Sequence, residues 1–332
     1  LLEQIARALV NKGDTLGALG RSEEEIAVYD AVVSRFGGAS QPALPESVAK
    51  ALVNKGTTLG ALGRSEEAIV VYEAVVSRFG SASEPALLEC VARALVNKGI
   101  TLGALGRSEE AIAAYDAVVS RFGGASQPAL PELVARALVG KGNLLFDELG
   151  LLDDAEIAYR RYIDIGDESR FARANLAWLL LVKGDSDAAS QLLAELSGIE
   201  QAGLDLLTAG VELARDNLGN ALTALGNALD NGLEDEDWSF FDDLLRFLRI
   251  AKARGHGEAV IGWFEGSGNA DRYTPAYAAF VAFVRGEAFL NDFNPEVRPA
   301  ATTIYERLLR PDRNRSPVQS QGRRKPRFRR KH

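Results

Sequence analysis

ALVNKG at residues 8–13 recurs at 51–56 and 94–99 and returns as ALVGKG at 137–142, a constant step of 43 residues. Residues 8–50 and 51–93 differ at nine positions, among them Asp14/Thr57, Glu25/Ala68, Pro45/Leu88 and Ser47/Cys90. Near-identity of this kind marks recent duplication. A fixed period of this length means one supersecondary unit stacked on copies of itself, each hiding an apolar face against the next. That reading displaces the two globular domains that a length of 332 residues would otherwise suggest.

Each unit predicts two helices. In the third copy, Leu87, Val91, Leu95 and Leu102 fall at steps of four and seven, a buried helical stripe running from Pro85 to about Leu105. Gly106 stops that helix, Ser108 is placed to cap the next, and Glu109 and Glu110 suit the positive end of a helix. The second helix runs from about Glu109 to Phe122, with Ile112, Tyr115, Val118 and Val119 as its apolar face. GGASQP or GSASEP then breaks the chain before the next unit. In the first copy Ser22 and Glu25 read as a capping box.

These units resemble the tetratricopeptide-repeat family, whose small, apolar and tyrosine positions fall here on Gly56, Leu59, Gly63, Ala68, Tyr72 and Val75. Leu52 and Lys55 depart from the family's usual tryptophan and leucine, and the unit is longer than the usual one of about 34 residues. The extra length reads as an extended start to the first helix, as in long-repeat variants. Residues 137–165 fit with one extra residue at the turn, 170–200 fit the shorter unit, and 202–232 form a degenerate pair. The resemblance implies an all-α right-handed superhelix, a solenoid of antiparallel helix pairs over 1–232. Residues 233–310, rich in aromatics such as Trp238, Phe247, Trp263 and Phe280, predict a helical C-terminal cap, and 311–332 a basic disordered tail.

The composition, 47% hydrophobic and 25% charged, is that of a chain able to bury a core. One cysteine, Cys90, allows no internal disulfide and suits a reducing compartment, so a cytoplasmic location is expected. The apolar runs Leu176 to Val182 and Ala276 to Val284 are too short to span a bilayer, which needs about 18 residues or more. The absence of methionine points to a processed chain or an excerpt.

Signals for chemistry are few. His256 and His332 are the only histidines, so no zinc set forms, and neither a GxxxxGK[ST] phosphate loop nor a GxSxG elbow occurs. The acidic run from Glu234 to Asp237 lacks the spacing of a calcium loop, GHGEAV from Gly255 reads as a turn, and Cys90 as a structural thiol. No enzymatic activity and no cofactor are expected.

In the family the first helix of each pair lines a concave groove. Carried over, one row of that groove holds Arg7, Lys50, Arg93 and Arg136, and a second holds Asn11, Asn54 and Asn97, with Gly140 in the fourth copy. A third row holds Val10, Val53, Val96 and Val139, and a variable fourth holds Asp14, Thr57, Ile100 and Asn143. The first two rows share a helical face and form a basic and amide ladder. The family's carboxylate clamp is matched only in part, because valines stand where it uses lysine. The bland alternative is that Arg93 and its equivalents pair with glutamates of neighbouring helices. Lys12, Lys55, Lys98 and Lys141 are expected to bury their stems and keep their charges wet.

Residues 310–332 carry ten Lys or Arg against Asp312, an excess of nine, while the whole chain stands at −8. Arg323, Arg324, Lys325, Arg327, Arg329, Arg330 and Lys331 make this tail a candidate for an anionic partner. The expected function is therefore a scaffold for a protein or peptide partner. A regulatory or sensor arm of a larger bacterial enzyme or signalling protein, and a nucleic-acid adaptor acting through the tail, are the alternatives. The near-identical stacked faces also allow self-association.

Overall fold

The structure is a computed structural model, and it describes residues 1–38, 44–125, 127–165, 170–196, 201–231, 238–272 and 274–309. Its regular elements among these residues are helices, and they gather into two units, one of Leu1–Leu144 and one that begins at Leu145. The expected limit between solenoid and cap falls on 232–237, and the basic tail on 311–332; both lie outside the described residues.

The first unit contains α1 (Leu2–Ala18), α2 (Ser22–Phe36), α3 (Leu44–Ala61), α4 (Ser65–Phe79), α5 (Pro85–Ala104), α6 (Ser108–Phe122) and α7 (Leu130–Asn143). Each helix packs on the next, and α1, α3, α5 and α7 also pack on one another in that order. The first helix of each pair is tied to the second by a left-handed glycine, with φ of +71° at Gly20, +76° at Gly63 and +75° at Gly106. Behind each one the following amide reaches back to the helix, Arg21 to Leu16, Arg64 to Leu59 and Arg107 to Leu102. This is the Schellman stop that the glycine permits, and a side chain there would be strained.

Close approach of the paired helices rests on a glycine facing a tyrosine. A Cβ built on Gly13, Gly56 or Gly99 would stand 2.4, 2.4 or 2.5 Å from Cε1 of Tyr29, Tyr72 or Tyr115. All three rings are buried, and each large side chain so placed contributes about 1.5–3 kcal/mol. The stripe Leu87, Val91, Leu95 and Leu102 is buried as its spacing requires. The early turns of α3, α5 and α7 bury Leu44 with Val48, Leu87 with Val91, and Leu130 with Val134, so the longer first helix carries its own core.

Two expectations about helix starts are corrected. Arg21 and Arg107, rather than Ser22 and Ser108, occupy the cap positions of α2 and α6, and no side chain caps either helix. Each arginine instead grips a first-turn acid with two bonds of 2.6 Å, Arg21 to Glu24 and Arg107 to Glu110. Glu25 closes no capping box; it is buried, with Oε1 3.1 Å from the Tyr29 hydroxyl, which lies closer to Asp14.

The extra residue after α7 is absorbed by a π-helical turn, Leu144–Glu148. Such a turn adds one residue without ending the helix. The second unit continues with α8 (Leu152–Ile163), α9 (Arg170–Lys183), α10 (Ser186–Glu195), α11 (Gln201–Ala214) and α12 (Leu218–Asn231). It ends with α13 (Trp238–Ala253), α14 (Gly257–Gly266), α15 (Asn269–Arg272), α16 (Thr274–Arg285), a 3-10 turn (Glu287–Asp292) and α17 (Arg298–Leu309). Here α9 packs on α8, α10 and α11, α13 on α11, and α16 on α17. The small-against-large device returns, since a Cβ on Gly210 would stand 2.7 Å from the buried ring of Trp178. Phe247, Phe264, Phe280 and Phe283 are buried, and His256 sits in the turn before α14 beside Gly255, whose φ is +78°.

Candidate binding surface

Because α1, α3, α5 and α7 pack in sequence, residues 43 apart occupy matching places on neighbouring helices. The amide row and the variable row are thereby joined across the repeats. Asn54 Nδ2 donates to Asp14 Oδ1 at 2.9 Å, and Asn97 Nδ2 donates to Thr57 Oγ1 at 3.3 Å. At the third joint neither partner is polar: Ile100 is exposed, and Gly140 stands where asparagine stood. A Cβ at 140 would lie 2.6 Å from Cζ of Tyr115. Loss of the acceptor at 100 and of the donor at 140 is therefore a matched change.

The basic row is exposed throughout α1, α3, α5 and α7. Lys50 bonds Glu46 at 2.6 Å and Arg93 bonds Glu89 at 2.5 Å, each within its own helix. This corrects the expectation of pairing with neighbouring helices, and the reason is geometric: a glutamate one turn back lies on the same face. The side chains of Arg7 and Arg136 make no hydrogen bond or ion pair among the described residues. Val10, Val53 and Val96 are buried beneath the ladder, Val139 and Asn143 are half-buried, and Asn11 is exposed on α1.

The joints are held by groups that the groove pattern leaves out. Lys55, Lys98 and Lys141 each reach back to the preceding helix, meeting Asp30, Glu73 and Asp116 at 2.5 to 2.6 Å. Their side chains are only 19 to 25% exposed, so the stems are largely covered and the charges are tied down. Arg64 meets Glu23 and Arg107 meets Glu66 across the same joints, and Arg78 and Arg121 donate to the carbonyls of Gly37 and Gly80. The signal for all of these was in the sequence, because each pair repeats with the 43-residue period. Cys90 is buried, and burial pushes its thiol up to about 11, which removes it as a nucleophile near neutral pH.

Among the described residues no helix is long and apolar enough to cross a membrane. The seven basic residues Arg323, Arg324, Lys325, Arg327, Arg329, Arg330 and Lys331 lie outside the described residues.

Sequence models of the tetratricopeptide repeat match residues 6–36 and 49–79, residues 96–170, and residues 171–195. Residues 37–48, left between the first two matches, hold the break and the early turns of α3, where the unit exceeds the usual length. A comparison with curated proteins finds no match. Among solved structures, a tetratricopeptide repeat protein from Parabacteroides merdae is 16% identical, with 74% of this chain and 99% of that chain covered at a TM-score of 0.32. Repeats of this kind generally mediate protein–protein interaction, and the proteins built from them are typically non-catalytic scaffolds. Stacked helix pairs, a glycine facing a tyrosine in the first three, and the four matched stretches between residues 6 and 195 identify tetratricopeptide repeats in this part of the chain.

Proposed function

We propose that the first unit binds an extended, acidic segment of a partner protein along α1, α3, α5 and α7. The observation that carries this reading is the exposed row Arg7, Lys50, Arg93 and Arg136, one cation per repeat, beside the Asn54 and Asn97 steps. Each asparagine spends its N–H on the neighbouring repeat and keeps its carbonyl oxygen for a ligand amide. The cations supply charge-assisted bonds to ligand carboxylates, and the variable row Asp14, Thr57, Ile100 and Asn143 tunes each repeat separately. The single buried Cys90 suits a reducing, cytoplasmic setting. The test compares the intact chain with a Lys50→Glu, Arg93→Glu, Arg136→Glu variant, in pull-downs and on an acidic peptide library, with circular dichroism to verify the fold. Binding is expected to be lost; unchanged recovery sinks the proposal.

A second reading rests on the charge of the tail, ten Lys or Arg against one acid over 310–332. Phosphate binding by such a segment falls steeply with salt. Binding of nucleic acid that weakens with salt and disappears on deleting 311–332 would support an adaptor role.

A further inference from the structure

The second unit holds a cavity of about 630 Å³ with no acidic residue in its lining and five basic ones, Lys183, Arg246, Arg249, Lys252 and Arg254. Its apolar wall includes Phe146, Leu181, Ile250, Phe283 and Leu308. Two of the five charges are matched by carboxylates. Lys183 meets Asp153 and Glu156 at 2.7 Å each, and the buried Arg246 meets Asp147 at 2.7 Å and Asp243 at 2.8 Å.

The other three have no close carboxylate. Arg249 is mostly buried, yet its nearest carboxylate, Asp147, stands 3.9 Å away and is already engaged by Arg246. Arg249 donates only to the carbonyls of Leu308 and Arg307 at the end of α17. Burial, with Arg246 and Arg307 nearby, lowers it to about 10 against the pull of Asp147 and Asp242. Lys252 donates to the Phe283 carbonyl at 2.5 Å and lies 3.8 Å from the centre of that ring. The Arg254 side chain makes no hydrogen bond or ion pair among the described residues. Capping of helix ends explains the bonds of Arg249 and Lys252. It offsets only a fraction of their charge, since a helix terminus carries about half an elementary charge. Of the three only Arg249 is largely withdrawn from water, with a distant and shared counter-charge, and an anion in the cavity offsets that cost, while Lys252 and Arg254 are exposed cations of the same lining.

We propose that this cavity binds a small amphiphilic anion. Its carboxylate or phosphate sits among Arg249, Lys252 and Arg254, and its apolar body lies along Phe146, Ile250 and Phe283. The volume falls within the usual range of small-molecule sites, about 300–1,000 Å³. The site is separate from the ladder of the first unit, so it stands whether or not that surface binds a partner.

The test uses calorimetry on the full chain with octanoate and octyl phosphate, against octanol, acetate and inorganic phosphate. One or both amphiphilic anions are expected to bind about tenfold or more tightly than any control, and the tighter one identifies the head group. A Lys252→Met, Arg254→Gln variant is expected to lose about tenfold in affinity while keeping its near-ultraviolet spectrum. In the unaltered protein, the bound amphiphile is expected to protect Lys252 from acetylation, a readout that holds even if the variant misfolds. Octanol binding as tightly as the anions, acetate or phosphate binding as tightly as the amphiphiles, no binding at all, or unprotected Lys252 overturns the proposal.

Discussion

Asp14 Oδ1 accepts two hydrogen bonds from different repeats, 2.6 Å from the Tyr29 hydroxyl of its own pair and 2.9 Å from Asn54 Nδ2 of the next. The joint between repeats is thus fastened to the tyrosine that packs each pair. A bond of this kind contributes about 0.5–1.5 kcal/mol net, more where one partner is charged. In a double-mutant cycle with Asp14→Ala and Asn54→Ala, read by urea denaturation, a coupling energy of about 1 kcal/mol is expected. Strictly additive losses show that the pair is incidental.

The glycine facing each tyrosine predicts opposite effects for the same substitution within one helix. At Gly56 an added methyl lands 2.4 Å from the buried Tyr72 ring, and overpacking costs about 1–3 kcal/mol, more than the gain of about 1 kcal/mol in helix propensity. At Gly60, four residues on, nothing stands within 4 Å. Gly56→Ala should lower the denaturation midpoint, and Gly60→Ala should leave it unchanged or raise it. Shifts of the same sign at both sites contradict the packing argument.

What the sequence made legible follows from what repeats. Gly20, Gly63 and Gly106 announce three turns, and Tyr29, Tyr72 and Tyr115 announce three cores, because each contact is made within one unit and copied. The caps expected at Ser22 and Ser108 do not form, since serine's capping preference takes no account of the preceding arginine, which stands at the cap position and grips a first-turn acid. The extra residue after α7 was visible as a count, but its outcome as a π-helical turn depended on the helix continuing through it. Least legible was the cationic cavity, whose lining comes from Phe146, Lys183, Phe283 and Leu308 on separate elements around α13. No period in the sequence brings those together.

The buried tyrosines predict a loss of stability at high pH. Burial raises Tyr72 and raises Tyr115 to about 12, from an ordinary value near 10. Between those values the unfolded chain releases a proton that the folded one retains, so folding weakens as pH rises. The contribution is intact below pH 10 and declines from there toward pH 12. Urea midpoints should therefore fall over that window, and tyrosinate absorbance from these rings should appear only with unfolding. Free titration of every tyrosine near pH 10 in the folded protein argues against the burial.

Arg246 is a buried charge of the second unit, held by Asp147 through two bonds at 2.7 and 3.2 Å and by Asp243 and Asn175 at 2.8 Å each. Removing one partner of such a cluster strands the others, at a cost of about 3–5 kcal/mol, whereas removing the charges together costs far less. Arg246→Met alone is therefore expected to be severely destabilising. Adding Asp147→Asn and Asp243→Asn to it should recover much of the loss, since the uncompensated carboxylates are gone. Thermal denaturation of the single and triple variants measures this, and a triple variant weaker than the single one would show that the cluster stabilises the second unit beyond mutual neutralisation.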